Sequence, residues 1–115
     1  MLALLALASP AAAQTLDCPG ATSQLEMSDC AARAAQGADA ELNRLWKLVK
    51  PQADARGDGQ KLLDAQRTWL SYRDQTCELE AGLYEGGTIA PMIYSICIQE
   101  ATLARNERLR ALLIQ

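Results

Sequence analysis

Apolar residues recur at Met27, Ala31, Ala34, Ala38, Leu42, Leu45 and Val49. The steps run four, three, four, four, three, four, the spacing that lines side chains along one face of an α-helix. Trp46 widens the stripe near its end, and Ser23 and Glu26 stand before it at the spacing of a capping box. In that motif each side chain accepts a hydrogen bond from the other residue's backbone amide. Gly37 costs such a helix ~1 kcal/mol, and Asp39 is placed to cap a fresh start. The pattern therefore fits one long helix or two collinear ones broken near Gly37. Pro51 lacks an amide donor and is expected to stop the run. Residues 51–59, PQADARGDG, then read as a polar loop.

A second helix is expected from Asp58 or Gly59 to Gly82. Its apolar face is Leu62, Ala65, Trp69, Tyr72, Cys77 and Leu79, with Leu70 and Ala81 at the edges. Residues 82–88, GLYEGGT, form a turn with three glycines. Thr88 is placed to cap a third helix, with Pro91 in its first turn, where a missing amide costs little. That helix carries Ile89, Met92, Ile93, Ile96, Cys97, Leu103, Ala104, Leu109, Leu112 and Leu113, and frays before Gln115. Amphipathic helices bury their stripes against one another. The expected fold is all-α: a small three-helix up-and-down bundle, or four helices if the first breaks near Gly37.

The first thirteen residues, MLALLALASPAAA, are apolar or small. The run Leu2 to Ala8 is too short to span a bilayer as a helix. It reads as the core of a secretory signal, with Ala11 and Ala13 at the small-residue positions before a cut. No basic residue precedes it, so the start is expected further upstream or at a misplaced start codon. The mature chain, from about Gln14 to Gln115, is expected to be one domain, secreted or periplasmic, with no stable membrane span. No cysteine follows the expected cut, which gives no support to a lipid anchor there.

Four cysteines, Cys18, Cys30, Cys77 and Cys97, follow this signal. An even count in an exported chain implies disulfides, and no CxxC suggests a redox pair or zinc knuckle. Cys77 and Cys97 flank a tight turn between two helices. Cys18 folds back readily on Cys30 across the capped start of the first. The pairing of Cys18 with Cys97 and Cys30 with Cys77 stays open.

The 115 residues contain no histidine, and the net charge is −3. That removes the commonest metal ligand and the commonest neutral-pH base, and it argues against a nucleic-acid partner. Neither a cofactor nor a metal site is expected. Ser71 and Ser95 have no evident activating partner. Glu78 and Glu80 are two apart and do not share a helix face. No catalytic residue is assigned, and the expectation is a binding protein. The candidate surface is Glu78, Glu80, Leu83, Tyr84 and Glu85, in a stretch (74–87) with four acids and no base. Tyr84 is its natural anchor. The segment 66–80, QRTWLSYRDQTCELE, is dense in aromatic and charged residues. It is read as structural, Trp69 and Tyr72 packing inward and Arg73 pairing with Asp74 or reaching Glu100 or Glu107.

Ordered blocks of residues then carry a family likeness. Asp17-Cys18, Thr22, Gln24, Glu26, Met27 and Cys30-Ala31 resemble the opening motif of the LprI-like family of bacterial envelope proteins. Ala38, Asp39, Glu41, Leu42 and Asn43 are similar to its next block. Gln66, Arg67, Trp69, Tyr72, Arg73, Asp74 and Cys77 resemble its central motif, and Gly86, Gly87, Thr88, Cys97, Arg105 and Arg108 its closing part. The resemblance implies a secreted or periplasmic helical domain with paired cysteines. The family takes its name from a mycobacterial lipoprotein described as a lysozyme inhibitor. The resemblance thus implies an envelope protein that binds a protein partner, with lysozyme, a basic protein in its common type, as the candidate. The alternative is a structural or stress-related periplasmic protein without lysozyme inhibition.

Overall fold

The computed structural model describes residues 18–114. The expected signal at 1–13 and the start of the mature chain lie outside the described residues. Three helices follow in order: α1 (Gln24–Arg56), α2 (Gly59–Gly82) and α3 (Ala90–Ala111). They form an all-α bundle with two disulfides, Cys18–Cys30 and Cys77–Cys97. The crossed pairing left open by the sequence does not occur.

The capping box forms as its spacing predicts. Ser23 Oγ accepts from the Glu26 amide at 3.1 Å, and Glu26 Oε1 accepts from the Ser23 amide at 3.1 Å and the Thr22 amide at 2.9 Å. Of the two readings of α1, the single long helix holds, with no break at Gly37. The expected stop at Pro51 is corrected: the helix runs 33 residues, with Pro51 inside. At 1.5 Å per residue that is ~50 Å. The proline removes the amide that would reach the Lys47 carbonyl. Its flanks Val49 and Ala53 are nonetheless fully buried, in one cluster with Leu42, Leu45, Leu62 and Leu109. Burial on both sides of Pro51 outweighs the lost hydrogen bond. The helix ends at Gly57, whose φ of 90° is left-handed and whose amide donates to the Ala53 and Asp54 carbonyls. The expected loop at 51–59 therefore shrinks to Gly57 and Asp58. At α3 the cap is Ile89, with no side-chain bond, in place of Thr88, and Pro91 lies in the first turn as expected.

Contacts across the bundle give the helix directions. Gln24 Nε2 donates to Met92 Sδ, Asn106 Nδ2 to the Ala38 carbonyl, and Arg110 Nη2 to Glu41 Oε2. These pairs are offset by 68, 68 and 69 residues, so α3 runs parallel to α1, in register. Helix α2 runs back between their ends and is antiparallel to both. Gln52 closes the far end by bonding both the amide and the carbonyl of Ile114.

The inward face of α2 also differs from expectation. Leu62 and Cys77 are buried, and Trp69, Leu70 and Ala81 are half-buried, but Ala65, Tyr72 and Leu79 are exposed. Tyr72 is 68% and Leu79 71% accessible. Gln66 is buried in their place, and the Arg73 side chain is only 11% accessible. On α3, Ala104 and Leu112 are exposed while Ile98, Gln99, Thr102 and Asn106 are buried. Choosing inward positions by apolarity missed Gln66, Arg73, Thr102 and Asn106 because polar side chains lie inward when partners await them: Arg105, Asp39, Arg73 and the Ala38 carbonyl.

Restoring the missing helix bond tests the account of α1. Pro51→Ala is expected to raise stability by about 1–3 kcal/mol. A thermal melt followed by far-UV circular dichroism should move up by at least several degrees; an unchanged or lower midpoint would contradict it.

Candidate functional site

The parallel register of α1 and α3 puts the start of α1, the end of α2 and the start of α3 at one end of the bundle. Both disulfides are at this end. Its core is thin: Ala35, Cys77, Cys97 and Ile98 form the buried cluster, with Tyr94 against it. The opposite end holds the leucine-rich cluster with Trp46, Trp69 and Leu113.

Charge divides along the same axis. Residues 18–35 and 74–104 make up the stapled end and contain Glu26, Asp29, Asp74, Glu78, Glu80, Glu85 and Glu100 against one base, Arg33. The other ten basic residues lie elsewhere in the sequence. At the leucine-rich end most acids are matched: Glu41 with Arg44 and Arg110, Asp54 with Lys50, Asp58 with Arg56, and Glu107 with Arg110, while Asp64 accepts only from the Gln60 side-chain amide. At the stapled end Glu78, Glu80, Glu85 and Glu100 are exposed, and among the described residues none forms an ion pair.

The turn joining α2 to α3 adds apolar surface. A chain of backbone bonds from Leu83 to Ala90 tightens it, including Tyr84 N to Ala81 O at 3.0 Å and Gly87 N to Tyr84 O at 2.9 Å. Gly86 adopts a φ of 89°, which suits glycine. Leu83 is 77% accessible and Tyr84 46%. Beside them a recess of about 250 Å³ is lined by Glu80, Leu83, Tyr84, Ile93, Ile96, Cys97 and Glu100. The structure thus brings together Glu80, Leu83 and Tyr84 of the expected surface. Glu78 and Glu85 are exposed on the same end but do not line the recess. Glu100, Ile93 and Ile96 join it from α3 and were not singled out in the sequence. The signal that could have found them is the four-residue turn spacing backwards from Glu100 to Ile96, combined with the Cys77–Cys97 pairing.

The central motif is a structural belt. Arg73 Nη1 donates to Asp39 Oδ1 at 3.0 Å and to Thr102 Oγ1 at 3.1 Å, and Arg73 Nε donates to Asp74 Oδ1 at 3.0 Å. One guanidinium therefore ties α2 to α1 and α3. The expected reach of Arg73 to Glu100 or Glu107 is not made, because Asp39 on α1 faces it at closer range. Arg105 Nε donates to Gln66 Oε1 at 2.8 Å. The Arg73 and Arg105 guanidinium carbons lie 5.2 and 5.7 Å from the centre of the Trp69 ring, within cation–π range. Arg67 stays exposed at a groove of about 430 Å³ between α1 and α2, next to Asn43, Trp46 and Leu70. Gly87 closes the turn as a hydrogen-bond donor. Among the described residues, no cluster of three or more cysteines or carboxylates is placed to hold a metal ion, and no helix is long and apolar enough to cross a membrane.

Residues 17–109 match the family described as "Lysozyme inhibitor LprI". The chain belongs to the LprI family. It is also 36% identical over 124 residues to "Uncharacterized protein R02472" of Rhizobium meliloti (strain 1021), an alignment that covers 96% of this chain and 89% of that protein. No solved structure matches it. Within the LprI match, the disulfides, the Arg73 belt and the acidic turn all fall inside the matched residues.

Two measurements test the ties between helices, one at the belt and one at Glu41. Arg73→Met keeps the stem and removes the charge, and should cost about 2 kcal/mol, since bonds to a charged group are each worth ~1.5–3 kcal/mol; urea denaturation reads it, and an unchanged midpoint would contradict the tie. The second is pH. Hydrogen bonds from Arg44, and then from Arg110, hold the Glu41 carboxyl down at about 2, against an ordinary 4.5. A depressed folded-state value gives stability that is full above about 4.5 and lost as the pH falls towards about 2. Glu41→Gln should flatten this part of the acid-stability curve, modestly because Glu41 is part-exposed and solvent screens the pair. A variant with the parent's acid profile would refute the assignment.

Proposed function

We propose that this LprI-family chain is an exported envelope protein that binds a basic protein partner through its stapled, acidic end, and that lysozyme is such a partner. It acts by contact and not by catalysis. The reading rests chiefly on one observation: the exposed Glu78, Glu80, Glu85 and Glu100 of one end form no ion pair among the described residues, while most acids of the other end are matched inside the molecule. Fields of one sign speed and orient association with an oppositely charged partner. Leu79, Leu83 and Tyr84 give that field an apolar centre. A binding patch needs such a centre, because rim charges alone add little affinity. The family description supplies the choice of lysozyme, and its common type is basic. The two disulfides hold the thin-cored end in one shape, so that binding costs little ordering.

Glu78→Gln, Glu80→Gln and Glu85→Gln combined should raise the inhibition constant against a basic lysozyme on the order of ten-fold at low salt, a loss of ~1.4 kcal/mol. The gap should narrow as salt is added. An unchanged constant removes this face from the interaction. Neither binding nor inhibition at micromolar parent protein would favour the structural or stress-related reading.

A further inference from the structure

The recess beside the α2–α3 turn has a more specific chemistry than an acidic patch. Its walls are Leu83, Tyr84, Ile93 and Ile96, with the buried Cys97 behind them, and its two carboxylates, Glu80 and Glu100, come from different helices. The Cys77–Cys97 bridge joins those helices next to the recess, with Cα atoms 5.5 Å apart, and so sets the spacing of the two walls. A recess of about 250 Å³ is on the scale of one side chain and not of a folded element. Neither carboxylate forms an ion pair among the described residues.

We propose that this recess is a socket for a single arginine side chain of the partner. Arginine has an apolar stem and a charged, planar head. The stem would lie along Ile93, Ile96 and Leu83. The head, with five N–H donors, would reach both Glu80 and Glu100, and its plane would stack against Tyr84. Lysine has a single ammonium on its stem and no plane to stack, so it fits the same walls less well. Charge complementarity selects the occupant: apolar walls closed by two unmatched carboxylates suit a cationic side chain with an apolar stem, and reject an anionic or a purely apolar one. The inference rests on the proposal that this end binds a basic protein, and it names the group that enters.

Three short peptides test it on the oxidised mature protein: acetyl-Gly-Arg-Gly-amide, the citrulline peptide of the same shape without charge, and the lysine peptide. Titration is followed by two-dimensional NMR. The arginine peptide should shift the Leu83, Tyr84, Ile93 and Ile96 signals, with a dissociation constant on the order of millimolar. The lysine peptide should bind several-fold more weakly, and the citrulline peptide should leave those signals in place. Glu80→Gln with Glu100→Gln should weaken the arginine peptide by roughly ten-fold. Shifts elsewhere only, equal shifts with citrulline or with lysine, or an undiminished response in the double variant would overturn the socket. Lysozyme inhibition measured on the same samples separates the two claims. Inhibition that survives in the double variant removes the socket and leaves the proposed function standing. Peptide binding without inhibition keeps the socket and removes lysozyme as the partner.

Discussion

One guanidinium joins all three helices. Arg73 leaves α2, bonds Asp39 on α1 and Thr102 on α3, and lies over Trp69. It sits between two cores of different character, the leucine cluster on one side and the alanine–cysteine cluster on the other. Withdrawing a charge from water is costly, and the cost is offset only when its donors are met. Three of its bonds are charge-assisted or go to a buried hydroxyl, and its partners Asp39 and Asp74 keep part of their hydration. A shift of α1 or α3 by a turn would take away one of its partners, Asp39 or Thr102. In this fold the belt therefore fixes register more than it adds net stability.

Register then decides where everything else falls. Because α3 lies parallel to α1, the beginnings of both helices meet at one end, and the end of α2 joins them. The buried residues there are small, and small residues contribute little hydrophobic free energy. Covalent closure compensates, since a disulfide limits the unfolded chain. The staples are placed where the core is weakest, and the acidic turn is carried by the stapled end. The other end has Leu42, Leu45, Val49, Leu62 and Leu109 in contact and no cross-link. Polar groups are not all satisfied: among the described residues, Gln99 Oε1 and Asn106 Oδ1 are buried without a hydrogen-bond partner.

Much of this was legible in the residue order. The i, i+3, i+4 stripes gave the helices, and Ser23 with Glu26 gave the first boundary, because capping is a local interaction. The Gly-rich turn and the two short cysteine closures were readable for the same reason. Pro51 misled, because a local rule about one amide was overruled by the burial of Val49 and Ala53. Tyr72 and Leu79 misled in the opposite sense: apolarity suggested the inside, but Gln66 and Arg73 fill those positions with partners from other helices. Of the candidate surface, Glu80, Leu83 and Tyr84 were legible from charge and turn chemistry. Ile93, Ile96 and Glu100 were not, since they enter from another helix.

By itself the sequence determined the helical class, the elements that periodicity and caps define locally, the presence of two short cysteine closures, and the family likeness. Only the tertiary structure decided that α1 runs unbroken through Gly37 and Pro51, that α3 lies parallel to α1, and that two separate acidic stretches share one end with both disulfides. The reason is range. Periodicity and capping depend on residues within a turn or two of each other, while register depends on contacts such as Asn106 with Ala38, 68 residues apart, which no local pattern encodes.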